Sequence, residues 1–336
     1  MGQREWGFTM TQWVVVGTGA LGMQWAQALH DSGEAVSLYV RDSEAAVVRL
    51  QTTQNSQVRE LSLPRCQSAK DAGADAVWLL FVKAWQLEPL LRQLQGEGLA
   101  DDATLIVSHN GLGAGEAYLA QQPNWQVYDL VTTHGAWRQN RYHSVLAGLG
   151  QSWIGRRQPT ACAGTESSAS TESSASTESS AGSVSGSEPP HWLDKLAAAW
   201  PPLQWDADIE QRRWRKLAVN CAINPLATLA GGVNGVLRSE EARAQIRAIC
   251  EEIANVNPML DADELVAEVQ QVIRATAGNR CSMLQDIEAQ RATEIDYLNG
   301  YVCEQGQQRQ VFTRVNCEVA ERIRQLELKS GVRSLE

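Results

Sequence analysis

The run Trp13-Val14-Val15-Val16 passes directly into Gly17-Thr18-Gly19-Ala20-Leu21-Gly22, and this junction constrains the fold more than any other stretch. A short apolar, β-branched run reads as a buried strand. The segment Leu21 to Ser32 has a helical pattern that Gly33 ends, and Ala35 to Val40 reads as a second strand. A Gly-x-Gly-x-x-Gly turn between strand and helix suits a dinucleotide pyrophosphate. Its first glycine makes the turn, its second lets the backbone approach the phosphates, and its third lets helix and strand pack closely. The helix N-terminus adds free N–H groups and the positive end of the helix dipole. Gly17, Thr18, Gly19, Ala20, Leu21 and Gly22 are therefore candidate cofactor contacts. A structural glycine-rich turn is the competing reading, and the second strand weighs against it.

The alternation continues. Asp75 to Phe81 and Ala103 to Ser108 read as buried strands, with a helix over Gln86 to Leu94 between them. Strands alternating with helices predict a parallel, doubly wound α/β sheet. Residues 160–188 break the pattern: Thr-Glu-Ser-Ser-Ala recurs from Thr165, Thr171 and Thr177. Such a segment has too little apolar surface to offset the entropy of ordering, and predicts a disordered surface loop within the first domain. A helix over His191 to Ala199 and a short strand over Leu203 to Trp205 follow. From Ile209 onward the pattern is helical almost throughout. The reading divides the chain into a nucleotide-binding domain, 1–207, and an all-α domain, 208–336, with a hinge near residues 205–212.

Composition limits the partners. The formal charge is −10, which disfavours nucleic acid and anionic membrane surfaces. No stretch approaches the roughly 20 apolar residues of a membrane span, and residues 1–10 do not read as a signal peptide. The 7 cysteines include no C-x-x-C pair, so the expectation is reduced thiols, no disulfide framework, no metal site and a cytoplasmic location. The 12 tryptophans read as packing.

Cofactor choice is read at the end of the second strand. Here that position is Arg41, whose guanidinium suits a 2′-phosphate through bidentate, charge-assisted bonds, and this points to NADP. Asp42, which could take a ribose hydroxyl, is the competitor.

A second polar constellation lies in Trp214 to Pro225, WRKLAVNCAINP. Lys216, Asn220 and Asn224 stand at i, i+4 and i+8 and share one helix face. Solvated faces usually carry Glu and Lys. Asn is a poor helix former, so a lysine with two amides reads better as a wall for a small anionic, hydroxylated ligand. Pro225 is expected to kink or end the helix. Lys83 and His109-Asn110-Gly111 each follow a strand, at the sheet edge where open α/β sheets bind ligands. Asn234 sits in a Gly-rich turn and Ser282 precedes an apolar helical start. On residue type alone, Thr293 and Glu294 read as an N-cap and a first-turn carboxylate.

Together these residues resemble the ketopantoate reductases (2-dehydropantoate 2-reductases). The resemblance rests on GTGALG at 17–22, VKAW at 82–85, HNGLG at 109–113, TTH at 132–134, WRKLAVNCAINP at 214–225, SMLQD at 282–286 and TEIDYLNG at 293–300. It covers nearly the whole chain apart from the Ser-rich segment, which is not a family feature. It implies a Rossmann-type α/β N-terminal domain followed by an all-α C-terminal domain, acting as a monomer or homodimer. It implies reduction of 2-dehydropantoate to (R)-pantoate with NADPH, on the way to pantothenate and coenzyme A. By matching motifs, Lys216 corresponds to the catalytic lysine, and Asn220, Asn224, Asn234 and Ser282 to substrate-binding positions. Lys83, Asn110 and Glu294 match residues that contact the cofactor or complete the catalytic centre. Ala136 falls near a further cofactor position, and Arg41 matches the reader of the 2′-phosphate. Two other readings stand beside this one: a related reductase of another branched 2-keto acid, and a non-catalytic NADP-binding regulatory module.

Overall fold

The computed structural model describes residues 11–41, 45–158 and 188–333. Asp42 and residues 160–187 of the Ser-rich segment, where a disordered loop was expected, lie outside the described residues.

Strand β1 (Gln12–Val16) shows why the first apolar run is continuous: Trp13 and Val15 join one core and Val14 and Val16 the other, so the strand is covered on both faces. It leads into α1 (Ala20–Asp31) and then β2 (Ala35–Tyr39). Next come β3 (Val47–Gln54), β4 (Gln57–Cys66), β5 (Val77–Leu80), α2 (Ala84–Gly96), β6 (Thr104–Val107), α3 (Glu116–Leu119) and β7 (Gln126–Thr132). The sheet is completed by β8 (Gly135–Asn140), β9 (His143–Gly148), β10 (Ser152–Arg156) and, after α4 (Leu193–Ala199), β11 (Leu203–Trp205).

The strand order is β11-β10-β7-β6-β5-β1-β2-β4-β3-β9-β8. The centre, from β4 through β7, is parallel, as the alternation predicted. Antiparallel pairs extend it on both sides: β3 with β4, β8 with β9, and β10 with β7. The sheet is therefore mixed. The β8–β9 hairpin is tied over the glycine loop, since Ser144 Oγ donates to the Ala20 carbonyl at 2.8 Å and Gln24 Nε2 donates to Ser144 Oγ at 2.9 Å. Several tryptophans pack, Trp13 edge-on to Trp192 and Trp25 edge-on to Trp200, whereas Trp85 and Trp137 are exposed.

From Ile209 the chain is helical: α5 (Ile209–Ala230), α6 (Glu240–Val256), α7 (Ala262–Ala275), α8 (Ser282–Glu288), α9 (Asn299–Arg309) and α10 (Arg314–Lys329). These share a third core around α5. The link expected to hinge is strapped to β10: the Asp206 N–H donates to the Ile154 carbonyl at 2.9 Å, and Asp206 pairs with Arg212. Among the described residues no helix is long and apolar enough to cross a membrane.

Two expectations are corrected. Of the two outcomes expected at Pro225, a kink or an end, the end does not occur: α5 runs on to Ala230. The Cys221 carbonyl, which an N–H at position 225 would have bonded, instead accepts from Asn299 Nδ2 at 3.2 Å, inside the core. The thiols are not all free either: Cys303 on α9 and Cys317 on α10 form a disulfide, with Cα atoms 5.6 Å apart. Neighbouring antiparallel helices bring them together, and no sequence spacing announces it.

Candidate active site

A cavity of about 970 Å³ runs from the glycine loop to the N-terminal half of α5. Val16 through Leu21 form one wall, beyond the C-terminal ends of β1, β2, β5 and β6. The Gly17 N–H donates to the Tyr39 carbonyl at 3.0 Å, which folds the loop back over β2. Gly22 does not line the cavity. It packs where an added Cβ would stand 3.3 Å from Phe81 Cβ, so it serves the close approach of helix to strand. The N-terminus of α1 faces the open space, where no side chain caps it. Arg41 is exposed on the cavity wall at the end of β2. Ala136 lines the opposite side, on β8.

At the other end the two halves meet on Glu294. This carboxylate is 5% exposed and precedes a single 3₁₀ turn, Ile295–Tyr297. Its Oε1 accepts the Ala84 N–H at 3.1 Å, and its Oε2 accepts Asn110 Nδ2 at 2.9 Å and Lys83 Nζ at 3.4 Å. The start of α2 supplies two of the donors, the loop after β6 supplies the third, and the helical half supplies the acceptor. The residue type suggested a plain helix-start carboxylate; its position is instead a junction. The loop holding Asn110 is drawn against the helical half at Gly111. There φ is +79°, the Leu112 N–H donates to the Tyr297 carbonyl at 2.9 Å, and any Cβ would collide with that carbonyl.

Asp286 was not singled out by the sequence reading. It is 4% exposed, lies one turn beyond Ser282 on α8 and accepts Lys83 Nζ at 2.6 Å; Arg291 donates to its other oxygen at 3.0 Å. Burial pulls the Lys83 pKa down, and the charges of Glu294 and Asp286 outweigh burial and hold it above the ordinary lysine value. The only sequence signal was that Asp286 lies in the SMLQD motif; its burial and its partner Lys83 appear only in the fold.

Lys216 lines the same cavity from α5, and Ser282 lines it from the first turn of α8. Burial lowers the Lys216 pKa against the opposing charge of Glu294, which makes this ammonium a better acid than an exposed one. Among the described residues, the wall does not include Asn220, Asn224 or Asn234. Asn220 Nδ2 is nevertheless buried with no hydrogen-bond partner among the described residues. Asn224 is 8% exposed. The Asn234 amide donates to Thr276 Oγ1 at 2.9 Å, while its Oδ1 is buried with no partner among the described residues.

The arrangement can cradle a phosphate chain at the uncapped N-terminus of α1, and it leads to a site where an ammonium of lowered pKa feels the charge of a buried carboxylate. Such a pair can protonate an oxygen that gains charge.

Comparison with known proteins gives concordant matches. Residues 13–159 match the model described as "Ketopantoate reductase PanE/ApbA", and residues 208–327 match its C-terminal counterpart. A 2-dehydropantoate 2-reductase of Vibrio cholerae is 33% identical over 318 residues, covering 94% of this chain and 97% of that protein. One of Escherichia coli O157:H7 is 32% identical over 320 residues, covering 93% and 94%. Among solved structures, D-mandelate dehydrogenase with NADH and anilino(oxo)acetate superposes with a TM-score of 0.78 at 24% identity, covering 96% of this chain and 100% of that one. A PanE/ApbA family ketopantoate reductase from Ralstonia eutropha JMP134 superposes with a TM-score of 0.76 at 20% identity over the same shares. A helical half that closes the glycine-loop cavity with Lys216 and Glu294, matched by relatives along nearly its whole length, makes this chain a member of the ketopantoate reductase family.

Proposed function

We propose that this chain reduces 2-dehydropantoate to (R)-pantoate with NADPH, as a monomer or homodimer. The observation that carries the reading is Glu294: a buried carboxylate from the helical half, bonded by Asn110, Lys83 and the Ala84 N–H at the end of a glycine-loop cavity that also holds Lys216. A nicotinamide dinucleotide fits the cradle: the uncapped N-terminus of α1 and the Thr18 to Leu21 backbone suit its pyrophosphate, and Arg41 suits a 2′-phosphate.

When bound, NADPH supplies the hydride that goes to the keto carbon. The chain's own residues do the rest. Lys216 Nζ donates a proton to the keto oxygen as charge builds there, and its lowered pKa eases that donation. Asn110, held by Glu294, orients the group at the sheet edge. Ser282 and the orphaned amide of Asn220 can bond the substrate's carboxylate and hydroxyl. Closure of the helical half over the cavity would exclude water and strengthen these interactions.

The test follows NADPH absorbance at fixed enzyme with 2-dehydropantoate, 2-ketoisovalerate and buffer alone. Rapid oxidation only with 2-dehydropantoate is expected. Preference for the other acid would assign a different substrate, and no oxidation with either would remove the reductase reading.

A further inference from the structure

Behind Lys216 lies a second, much smaller cavity of about 20 Å³, walled by His109, Asp129, Arg213, Lys216 and apolar residues including Val131 and Leu217. Its polar groups belong to a buried charge cluster joining the sheet to α5. Asp129 on β7 receives Arg157 Nε at 2.8 Å and lies 3.4 Å from Arg213 Nη1, which donates to Glu210 at 2.7 Å. Two atoms in the cavity wall residues are left over. Among the described residues, Arg213 Nη2 and His109 Nε2 are both buried with no hydrogen-bond partner; Glu116 Oε1, at 3.9 Å from Arg213 Nη2, is too far to accept. An orphaned guanidinium N–H and an orphaned ring nitrogen are each costly to bury.

The tautomer of His109 decides what fits. Its Nδ1 lies 2.9 Å from the Asn110 carbonyl, which can only accept, so Nδ1 carries the proton and Nε2 presents a lone pair. Burial, reinforced by the nearby Arg157 and Arg213, lowers the His109 pKa to about 4, so the ring is neutral. The occupant must therefore accept from Arg213 and donate to His109. A halide cannot donate. A cavity this size holds about one water, which needs roughly 10–15 Å³.

We propose that this cavity holds one ordered water that donates to His109 Nε2, accepts from Arg213 Nη2 and accepts from Lys216 Nζ, so that His109 and Arg213 are positioning residues for the lysine. With one N–H held from behind, the ammonium directs another into the large cavity. The water does not relay protons onward, because the far side of His109 is committed to the Asn110 carbonyl.

The kinetic consequence rests on the reductase reading; the water itself does not. A crystal structure at better than about 1.5 Å should show a single full-occupancy water bonded to both orphaned atoms. A dry cavity, or an ion in it, overturns the proposal even if the enzyme is active. In kinetics with NADPH and 2-dehydropantoate, His109→Leu should lower kcat roughly tenfold with KM for NADPH unchanged, and His109→Gln, which restores an acceptor near the Nε2 position, should recover most of it. Val131→Ile, which fills the cavity without touching its polar groups, should lower kcat in the same way. Wild-type kcat in both folded His109→Leu and Val131→Ile would overturn the positioning role. Chain that oxidises no NADPH with any keto acid but shows the water would remove the function above and leave the site.

Discussion

Lys83 and Asp286 stand 2.6 Å apart across the cleft, one at the end of a sheet strand and the other on a helix of the second half. Asp286 is buried and is held in turn by Arg291 at 3.0 Å. Asp286→Asn keeps the shape and removes the charge that fixes Lys83. It is expected to lower kcat/KM for NADPH about tenfold, which is ~1.4 kcal/mol, with a smaller change in melting temperature than in kinetics. Steady-state assays at varied NADPH check this, and unchanged kcat/KM would mean Lys83 is held well enough by Glu294.

Lys216→Ala removes the proposed proton donor without touching the glycine loop. Turnover should fall by about 10²-fold or more, in the range general acids contribute, while NADPH binding, followed by its fluorescence, stays within about twofold. Near-normal turnover would exclude Lys216 as the acid.

Arg41→Ala should discriminate between the two nicotinamide dinucleotides. A charge-assisted bond to a 2′-phosphate is worth about 1.5–3 kcal/mol, so KM for NADPH should rise roughly 10- to 100-fold, with KM for NADH little changed. Equal losses for both would mean that another group reads the 2′-phosphate.

Acid should unravel the charge cluster between the halves. Burial pushes the Asp129 pKa up, but Arg157 and Arg213 overcome this and hold it at about 2, below its ordinary value of 3.8. Because the folded pKa is the lower one, this carboxylate stabilises the fold above pH 3.8 and loses that contribution as pH falls toward 2. Melting temperature measured across that window should fall more steeply for the parent chain than for Asp129→Asn, which lacks the titration. Parallel curves would contradict the shift.

Asn299→Ala takes the donor from the Cys221 carbonyl that Pro225 leaves exposed inside α5. A buried orphaned acceptor costs about 1–3 kcal/mol, read as a lower urea midpoint. Adding Pro225→Ala restores a helical N–H to that carbonyl and should recover part of the loss. Strict additivity of the two substitutions would deny the link.

The central strands were readable because they are buried on both faces, and a run such as Trp13 to Val16 has no polar interruption. The hairpins were not. In β4 the first four residues are exposed, and β8 is exposed over most of its length, so neither carries an apolar signature. The turn Asn55-Ser56, with φ of 49° and 63°, was a usable hairpin signal without the glycine that normally draws attention. In the site, Lys216 and Asn220 stood out because a lysine and amides are odd partners on a helix. Glu294 was marked only by the resemblance and not by its residue type, which fits a helix start equally well, because its bonds depend on donors about two hundred positions away. The same long range hid Asp286.

Glu294 has one further implication, for how such a chain can be divided. Its three donors come from the first half of the chain and its backbone from the second, so a fragment ending near the link between them keeps Lys83 and Asn110 but loses the acceptor that gathers them. A chimera that exchanges one half for that of a relative would inherit a working junction only if Lys83, the Ala84 backbone and Asn110 meet a carboxylate at the same depth. The two halves are thus bound to be inherited as a matched set, however separately each may fold.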